Sequence, residues 1–187
     1  MRPTQELSDE HRAVLVALEI MERVEDALAA KEPEAPKHMA ELLDFFRGFV
    51  DRCHHAKEEE ILFPELERHG VPREGGPIAV MLAEHDSGRR HIRSIAEGLA
   101  RLERGDARGM EEIRGGADAY RDLLRAHIEK EENVLFPIAD QVVTPEEAER
   151  VRVRFEAVEK DRVGPGRHEA YHAMLDRLRD AYGVRPR

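Results

Sequence analysis

A motif of eleven residues decides the fold. It reads His54-His55-Ala56-Lys57-Glu58-Glu59-Glu60-Ile61-Leu62-Phe63-Pro64, and it recurs without a gap as His127-Ile128-Glu129-Lys130-Glu131-Glu132-Asn133-Val134-Leu135-Phe136-Pro137. In both copies a His lies eight residues and a Glu four residues before the Leu of Leu-Phe-Pro. Upstream, Glu10-His11 and Glu84-His85 occupy equivalent places. The chain is therefore predicted to be a duplicated two-helix unit.

Apolar residues recur with helical spacing along most of the chain, and no segment alternates convincingly as a strand would. Six helices are predicted: Ser8, as the cap, to about Lys31; about Lys37 to His69; Pro77 to just before Gly105; about Asp106 to about Val142; Thr144, as the cap, to about Arg162; and about Arg167 to Tyr182. The fourth helix contains Gly115-Gly116, where a break is possible. Thr144-Pro145-Glu146-Glu147 has the pattern of a capping box, and Gly164-Pro165-Gly166 separates the last two helices. We expect an all-α fold, an antiparallel up-down-up-down four-helix bundle over 1–142 with two shorter helices packed on it over 143–187.

Composition narrows the class of protein. The chain has 187 residues, a net charge of −10 and 41% hydrophobic residues, which is enough for one buried core. Nucleic acid is a poor partner for so acidic a chain. The single cysteine excludes a disulfide within the chain and a zinc cluster built on cysteines. Neither an apolar N-terminal segment nor an apolar run near ~18 residues is present, so we expect a cytoplasmic protein with no membrane span.

Each copy of the motif predicts a pair of metal-binding side chains. Residues four apart share one helix face, so His54 and Glu58 form a nitrogen–oxygen pair, as do His127 and Glu131. His55 and Glu59 have the same spacing. The repeat aligns His54 with His127, and the face of His54 continues an apolar stripe, whereas the face of His55 continues residues that belong in water. We therefore expect His54, and not His55, to point into the core.

The other two helices contribute one inward histidine each. His11 lies on the apolar stripe of the first helix and His85 on that of the third. The six predicted core groups are His11, His54, Glu58, His85, His127 and Glu131. Buried charges must be paired or coordinated. Hydrogen-bonded His–Glu pairs are one interpretation, but a site for two metal ions bridged by the carboxylates explains the whole set, with iron, manganese or zinc as suitable metals.

The same residues resemble those of a known family. The order His11, His54-x-x-x-Glu58, His85, His127-x-x-x-Glu131, with Leu-Phe-Pro after each pair, resembles the hemerythrin-like HHE cation-binding domain over about residues 7–140. The resemblance implies a non-heme di-iron centre with an oxo or hydroxo bridge in a four-helix bundle. It further implies that the six residues are the iron ligands, with both Glu bridging.

The chain departs from the oxygen-carrying members of that family. Arg89 stands where they have a second third-helix His, and Glu132 where they have Asp. A missing imidazole favours peroxide, nitric oxide or redox chemistry over reversible oxygen carriage. Gly88 leaves room for a small ligand or allows close helix packing. In the tail, Glu159, His168 or His172 could replace the missing imidazole, although a role in capping one end of the bundle is favoured.

We therefore predict a two-iron protein that binds a small diatomic or peroxide ligand as a sensor, scavenger or detoxifier. No protein partner can be named, and neither hydrolase nor nucleotide-dependent activity is expected. A ferritin-like iron oxidase or store is one alternative, but it needs Glu-x-x-His on two helices, and here only Glu169-Ala170-Tyr171-His172 fits. A metal-independent helical interaction module is another.

Overall fold

The residues that the structure describes form six helices, joined by short loops, and no strand. The structure is a computed structural model that describes residues 2–164 and 166–185. Met1, Pro186, Arg187 and Pro165, the middle residue of the predicted break at Gly164–Gly166, lie outside the described residues. The helices are α1 (Pro3–Ala29), α2 (35–68), α3 (Pro77–Glu103), α4 (108–142), α5 (145–163) and α6 (Arg167–Tyr182). The predicted all-α fold with two shorter C-terminal helices is confirmed.

The structure differs from the sequence-based expectation at two places in the helices. The first helix begins at Pro3, because proline suits a first helical position and Thr4 donates a hydrogen bond to Asp140 Oδ1 at 2.7 Å, which ties this turn to α4. Ser8 is therefore inside α1. The possible break at Gly115-Gly116 is absent, since α4 runs through it. A Cβ atom on Gly116 would lie 2.9 Å from Ile95 Cγ1, so this glycine allows close packing of α4 on α3.

Prolines within α2 and α4 accompany widened, π-helical turns. In α2 the π-helical stretches are Phe46–His55 and Glu58–Leu62, and in α4 the stretch is Glu131–Leu135. Pro64 has no N–H to donate to the carbonyl of Glu60, four residues earlier, and its ring crowds that carbonyl. Arg154 Nη2 of α5 donates to this carbonyl oxygen at 3.0 Å instead. The Leu-Phe-Pro signature thus marks a change of helical period next to each His–Glu pair.

The polar groups of the motif lie between two apolar clusters. The larger cluster contains residues such as Val14, Phe46 and Leu124, and the smaller contains residues such as Leu7 and Phe136. In each of the four long helices the chain passes from one cluster to the other across the motif histidines. The bundle therefore encloses the polar layer on both sides. No helix among the described residues combines the length and apolarity that a bilayer span requires.

The C-terminal helices lie along α1 and α2 and do not cap one end of the bundle as predicted. Along α6, Tyr171 contacts Asp44 while Tyr182 Oη lies 2.8 Å from His38 Nδ1, so α6 runs antiparallel to the first half of α2. Along α5, Glu147 lies 3.2 Å from His69, so α5 runs back along the second half of α2. The apolar residues of the two helices enter the two clusters separately, which explains why a single cap does not form.

The contact between α2 and α6 depends on Gly48. A Cβ atom there would lie 2.0 Å from Tyr171 Oη, which is hydrogen-bonded to Asp44. We expect Gly48→Ala to lower the free energy of unfolding by about 1–3 kcal/mol through overpacking. Gly115→Ala is the matched control, since Gly115 is exposed within α4 with open space around it. This change should raise the free energy by about 0.5–1 kcal/mol. Urea unfolding measures both, and equal effects would contradict the packing described here.

Candidate metal centre

The structure brings the six predicted side chains together in the bundle core, and His55 joins them. Two sets of ligand atoms form, each with all its atoms within 4.8 Å of one another. The first donor group is His11, His54, Glu58 and Glu131, and the second donor group is His55, Glu58, His85 and His127. All seven residues are buried, none more than 4% exposed. That these atoms bind metal ions stays a prediction.

Glu58 faces both donor groups. Its Oε1 lies 3.6 Å from His54 Nε2, and its Oε2 lies 3.4 Å from His85 Nε2. Both carboxylate oxygens are buried, and neither has a hydrogen-bond partner among the described residues. The carboxylate is therefore placed as a bridging ligand would be.

Glu131 is placed in the same way from the opposite helix. Its Oε2 lies 3.1 Å from His11 Nε2, and its Oε1 lies 3.3 Å from His127 Nε2. These oxygens also lack a hydrogen bond within the described part of the chain. The two halves of the repeat thus place equivalent carboxylates on opposite sides of one centre.

A second carboxylate orients each of the four predicted histidines. The Nδ1–Oε distances are 2.7 Å for His11–Glu132, 2.8 Å for His54–Glu10, 2.7 Å for His85–Glu59 and 2.9 Å for His127–Glu84. An ionised carboxylate only accepts, so each Nδ1–H donates and Nε2 faces the core. There the Nε2 atoms of His85 and His127 lie 3.1 Å apart, within hydrogen-bonding distance of each other. These four partners were not among the predicted site residues. Each is a Glu adjacent in sequence to one of the six predicted residues, as in Glu10-His11 and Glu131-Glu132, and this adjacency was the signal for them.

The two core carboxylates differ in their electrostatics. Burial, followed by repulsion from Glu131, raises the pKa of Glu58 well above its ordinary value. Burial also acts to raise the pKa of Glu131, but the neighbouring His127 and His11 outweigh it and hold this pKa well below the ordinary value. Without a metal ion, ionised Glu131 therefore opposes the ionisation of Glu58. A metal ion between them would offset the repulsion between the two carboxylates.

The donor set fits metal ions. Buried atoms without hydrogen-bond partners are rare in folded proteins. Among the described residues they concentrate here, on His11 Nε2, both nitrogens of His55 and all four oxygens of Glu58 and Glu131. Imidazole nitrogens and carboxylate oxygens together suit iron, manganese or zinc. Since Glu58 belongs to both donor groups, the set fits two ions with a shared ligand.

The expectation that His55 faces water is wrong. Its side chain is buried, and its ring stacks on His85 with centroids 3.8 Å apart. Two features of the structure explain the difference. The π-helical turn Phe46–His55 changes the face on which each residue lies, and Arg89 pairs with Asp51 at 2.7 Å, which removes that acidic residue from open water. Burial, then the nearby His85, lowers the pKa of His55 well below its ordinary value, so this imidazole is neutral.

The tail contributes no residue to either donor group among the described residues. His168 lies against the ring of Phe49, with centroids 5.3 Å apart, and its Nδ1 is 4.0 Å from Glu159. His172 is exposed on α6. The possibility that the tail replaces the missing imidazole is therefore not supported, because α5 and α6 pack on the outer side of α1 and α2.

A cavity of about 230 Å³ adjoins the second donor group. Its lining includes His55, Gly88, Arg89 and Tyr120. A Cβ atom on Gly88 would lie 3.3 Å from Tyr120 Cε2, so this glycine also allows close packing of α3 on α4. Both interpretations of Gly88 are thus compatible with its position. The cavity gives a small molecule space beside His55.

Comparison with known proteins identifies the family. The family model of the hemerythrin HHE cation-binding domain matches residues 2–139. The chain belongs to this family. It is also 30% identical over 134 residues to proteins named iron-sulfur cluster repair protein YtfE, from Yersinia pestis (strain Pestoides F) and Yersinia pseudotuberculosis serotype IB (strain PB1/+). The match covers 70% of this chain and 60% of each relative. No solved structure matches the chain.

The outer carboxylates, which are the Nδ1 partners Glu10, Glu59, Glu84 and Glu132, should control the affinity of this hemerythrin-like centre for metal. Glu132 is the cleanest case, since it contacts His11 Nδ1 and Ser8 and is partly exposed. We expect Glu132→Ala to weaken metal binding about 10–100-fold, because His11 loses the partner that orients it. Glu132→Gln, which retains an acceptor, should lie closer to the parent. Glu129→Ala, at an exposed position of the same helix, is the control. Competition with a chelator measures the affinity, and equal affinities in all four proteins would contradict this role.

Proposed function

We propose that the chain is a non-heme di-iron protein that binds or reacts with a small oxygen-derived ligand, nitric oxide or peroxide. The observation that carries the proposal is the pair of donor groups that share Glu58, with Glu131 facing histidines of both. In this proposal the iron ligands are His11, His54, Glu58, His85, His127 and Glu131, and the protein acts in the cytoplasm as a sensor, scavenger or detoxifier.

Charge and donor chemistry support iron in this place. Two buried carboxylates among imidazole nitrogens form a donor set suited to cations, and an oxo or hydroxo bridge would balance the remaining charge. When bound, two irons supply redox chemistry and open positions for a small ligand. The relatives named for iron–sulfur cluster repair support a role in handling iron or the reactive species that damage iron sites.

The protein's own residues would hold and screen such a centre. The apolar clusters on both sides exclude bulk water, and the outer carboxylates fix the imidazole rings. The cavity of about 230 Å³ beside His55 and Gly88 leaves space for a small ligand next to the second donor group.

The two alternatives have less support. The ferritin-like alternative depends on Glu169 and His172, which are both exposed on α6, away from the core. The metal-independent module would leave the buried oxygens of Glu58 and Glu131 without partners. Neither alternative accounts for the repeated arrangement of ligands.

Titration of the iron-loaded protein tests the proposal. Nitric oxide added to the reduced protein, and hydrogen peroxide added to either redox state, should change the absorption spectrum with a saturating dependence on concentration. His54→Ala and His127→Ala should lose this response together with their iron. An iron-loaded protein that responds to none of these molecules would contradict the proposed ligand class.

A further inference from the structure

His55 is a buried histidine that the predicted ligand set leaves without a role. It is 4% exposed, and neither of its ring nitrogens has a hydrogen-bond partner among the described residues. One of those nitrogens lies within 4.8 Å of ligand atoms of Glu58, His85 and His127. We infer that His55 is a fifth imidazole ligand, which completes the second donor group from α2. The inference rests on the proposed metal centre and adds a ligand to it.

The surroundings of His55 differ from those of the other four histidines. Each of those has a glutamate within 2.9 Å of Nδ1, whereas the nearest carboxylate to His55 Nδ1 is Asp51, at 3.6 Å. Asp51 Oδ1 instead accepts a hydrogen bond from Arg89 Nε at 2.7 Å. A buried imidazole with both nitrogens unsatisfied is costly. Coordination of a metal ion would satisfy one of them.

The helix geometry explains how α2 supplies two consecutive ligands. His54 turns toward α1, where Glu10 accepts from its Nδ1, and His55 turns toward α3 and α4, where its ring contacts His85 and His127. The π-helical stretch that ends at His55 places both rings inside the bundle. Each of the two neighbours therefore faces a different donor group.

The third helix provides only one ligand on this side. Arg89, one turn after His85, directs its guanidinium to Asp51, Glu59 and Asp86. It is therefore held at the outer edge of the site. With His55 included, the second donor group has three imidazoles and the first has two, so the two metal ions would be inequivalent.

His55→Phe separates a ligand from a packing residue. Phenylalanine fills the space and can stack on His85, but it cannot bind metal. We expect titration with Co(II), followed by absorption, to show one ion bound as in the parent and the other bound about 100-fold more weakly. The metal-free variant should melt at or above the temperature of the metal-free parent, since two unsatisfied polar atoms are removed. His55→Leu should behave in the same way, and His172→Phe, outside both donor groups, should bind both ions normally.

The outcomes distinguish this inference from the proposed centre. If His55→Phe binds two Co(II) ions with the affinities of the parent, His55 is a packing residue and the inference is wrong, while the proposed centre stands. If the parent itself binds no Co(II), the proposed centre fails and the inference fails with it. Loss of both ions together from a variant that melts like the parent would also contradict the assignment of His55 to one metal position.

Discussion

Glu58→Ala protein is expected to hold well below one iron per chain, against about two in the parent. The reason is that Glu58 belongs to both donor groups, with one oxygen 3.6 Å from His54 and the other 3.4 Å from His85. Loss of this side chain removes a ligand from both positions at once. Glu58→Gln, which keeps the volume, should show the same loss. Plasma mass spectrometry of protein grown with iron measures it.

Glu60→Ala is the matched control for this change. Glu60 lies in the same motif but is exposed, and its carboxylate pairs with Arg162 on the surface. Its iron content should equal that of the parent. If the Glu58 variants retain both irons, or if Glu60→Ala loses them equally, the bridging position of Glu58 is wrong.

Removal of the metal should have the second large effect, on thermal stability. The centre buries two carboxylates whose four oxygens have no hydrogen bonds among the described residues, and metal binding is coupled to folding in such a site. A metal present at about 1,000 times its dissociation constant contributes about 4 kcal/mol. For a chain of this size that corresponds to a drop in melting temperature of roughly 8–16 °C after chelation. Differential scanning calorimetry, with and without chelator, measures the change.

Two controls accompany the calorimetry. Adding ferrous ion back under argon should restore the higher melting temperature, and Glu58→Gln should melt at the same temperature with or without chelator. If the melting temperature of the parent protein is the same with and without chelator, the metal-independent helical module is favoured.

The sequence alone predicted the helical bundle and the buried layer in which the six side chains meet. The repeat made this possible, because Glu58 and Glu131 each lie four residues after a His and therefore share a helix face with it. Two such faces in one bundle point to a common layer of the core. Helix ends were also readable where capping chemistry is strong: the capping box of Thr144 and Glu147 is present, and α3 begins at Pro77. The start of α1 was missed, since Pro3 and contacts with Asp140 outweigh the local signal at Ser8.

The burial of His55 could not be predicted from helical spacing. A period of 3.6 residues sends His54 and His55 to different faces, and the polar Asp51 before His55 suggested a face in water. The π-helical turn and the Asp51–Arg89 ion pair are tertiary features that reverse this conclusion. The outer carboxylates were missed for a related reason, because Glu10 and Glu59 act on histidines of other helices and not on their own.

The iron content of the purified protein tests the central claim most directly. We would measure it by plasma mass spectrometry, together with the absorption spectrum of the air-exposed protein. The account predicts close to two irons per chain and a near-ultraviolet band from an oxo-bridged iron pair. One zinc per chain, or no transition metal in protein grown with iron, would contradict a di-iron centre at Glu58 and Glu131.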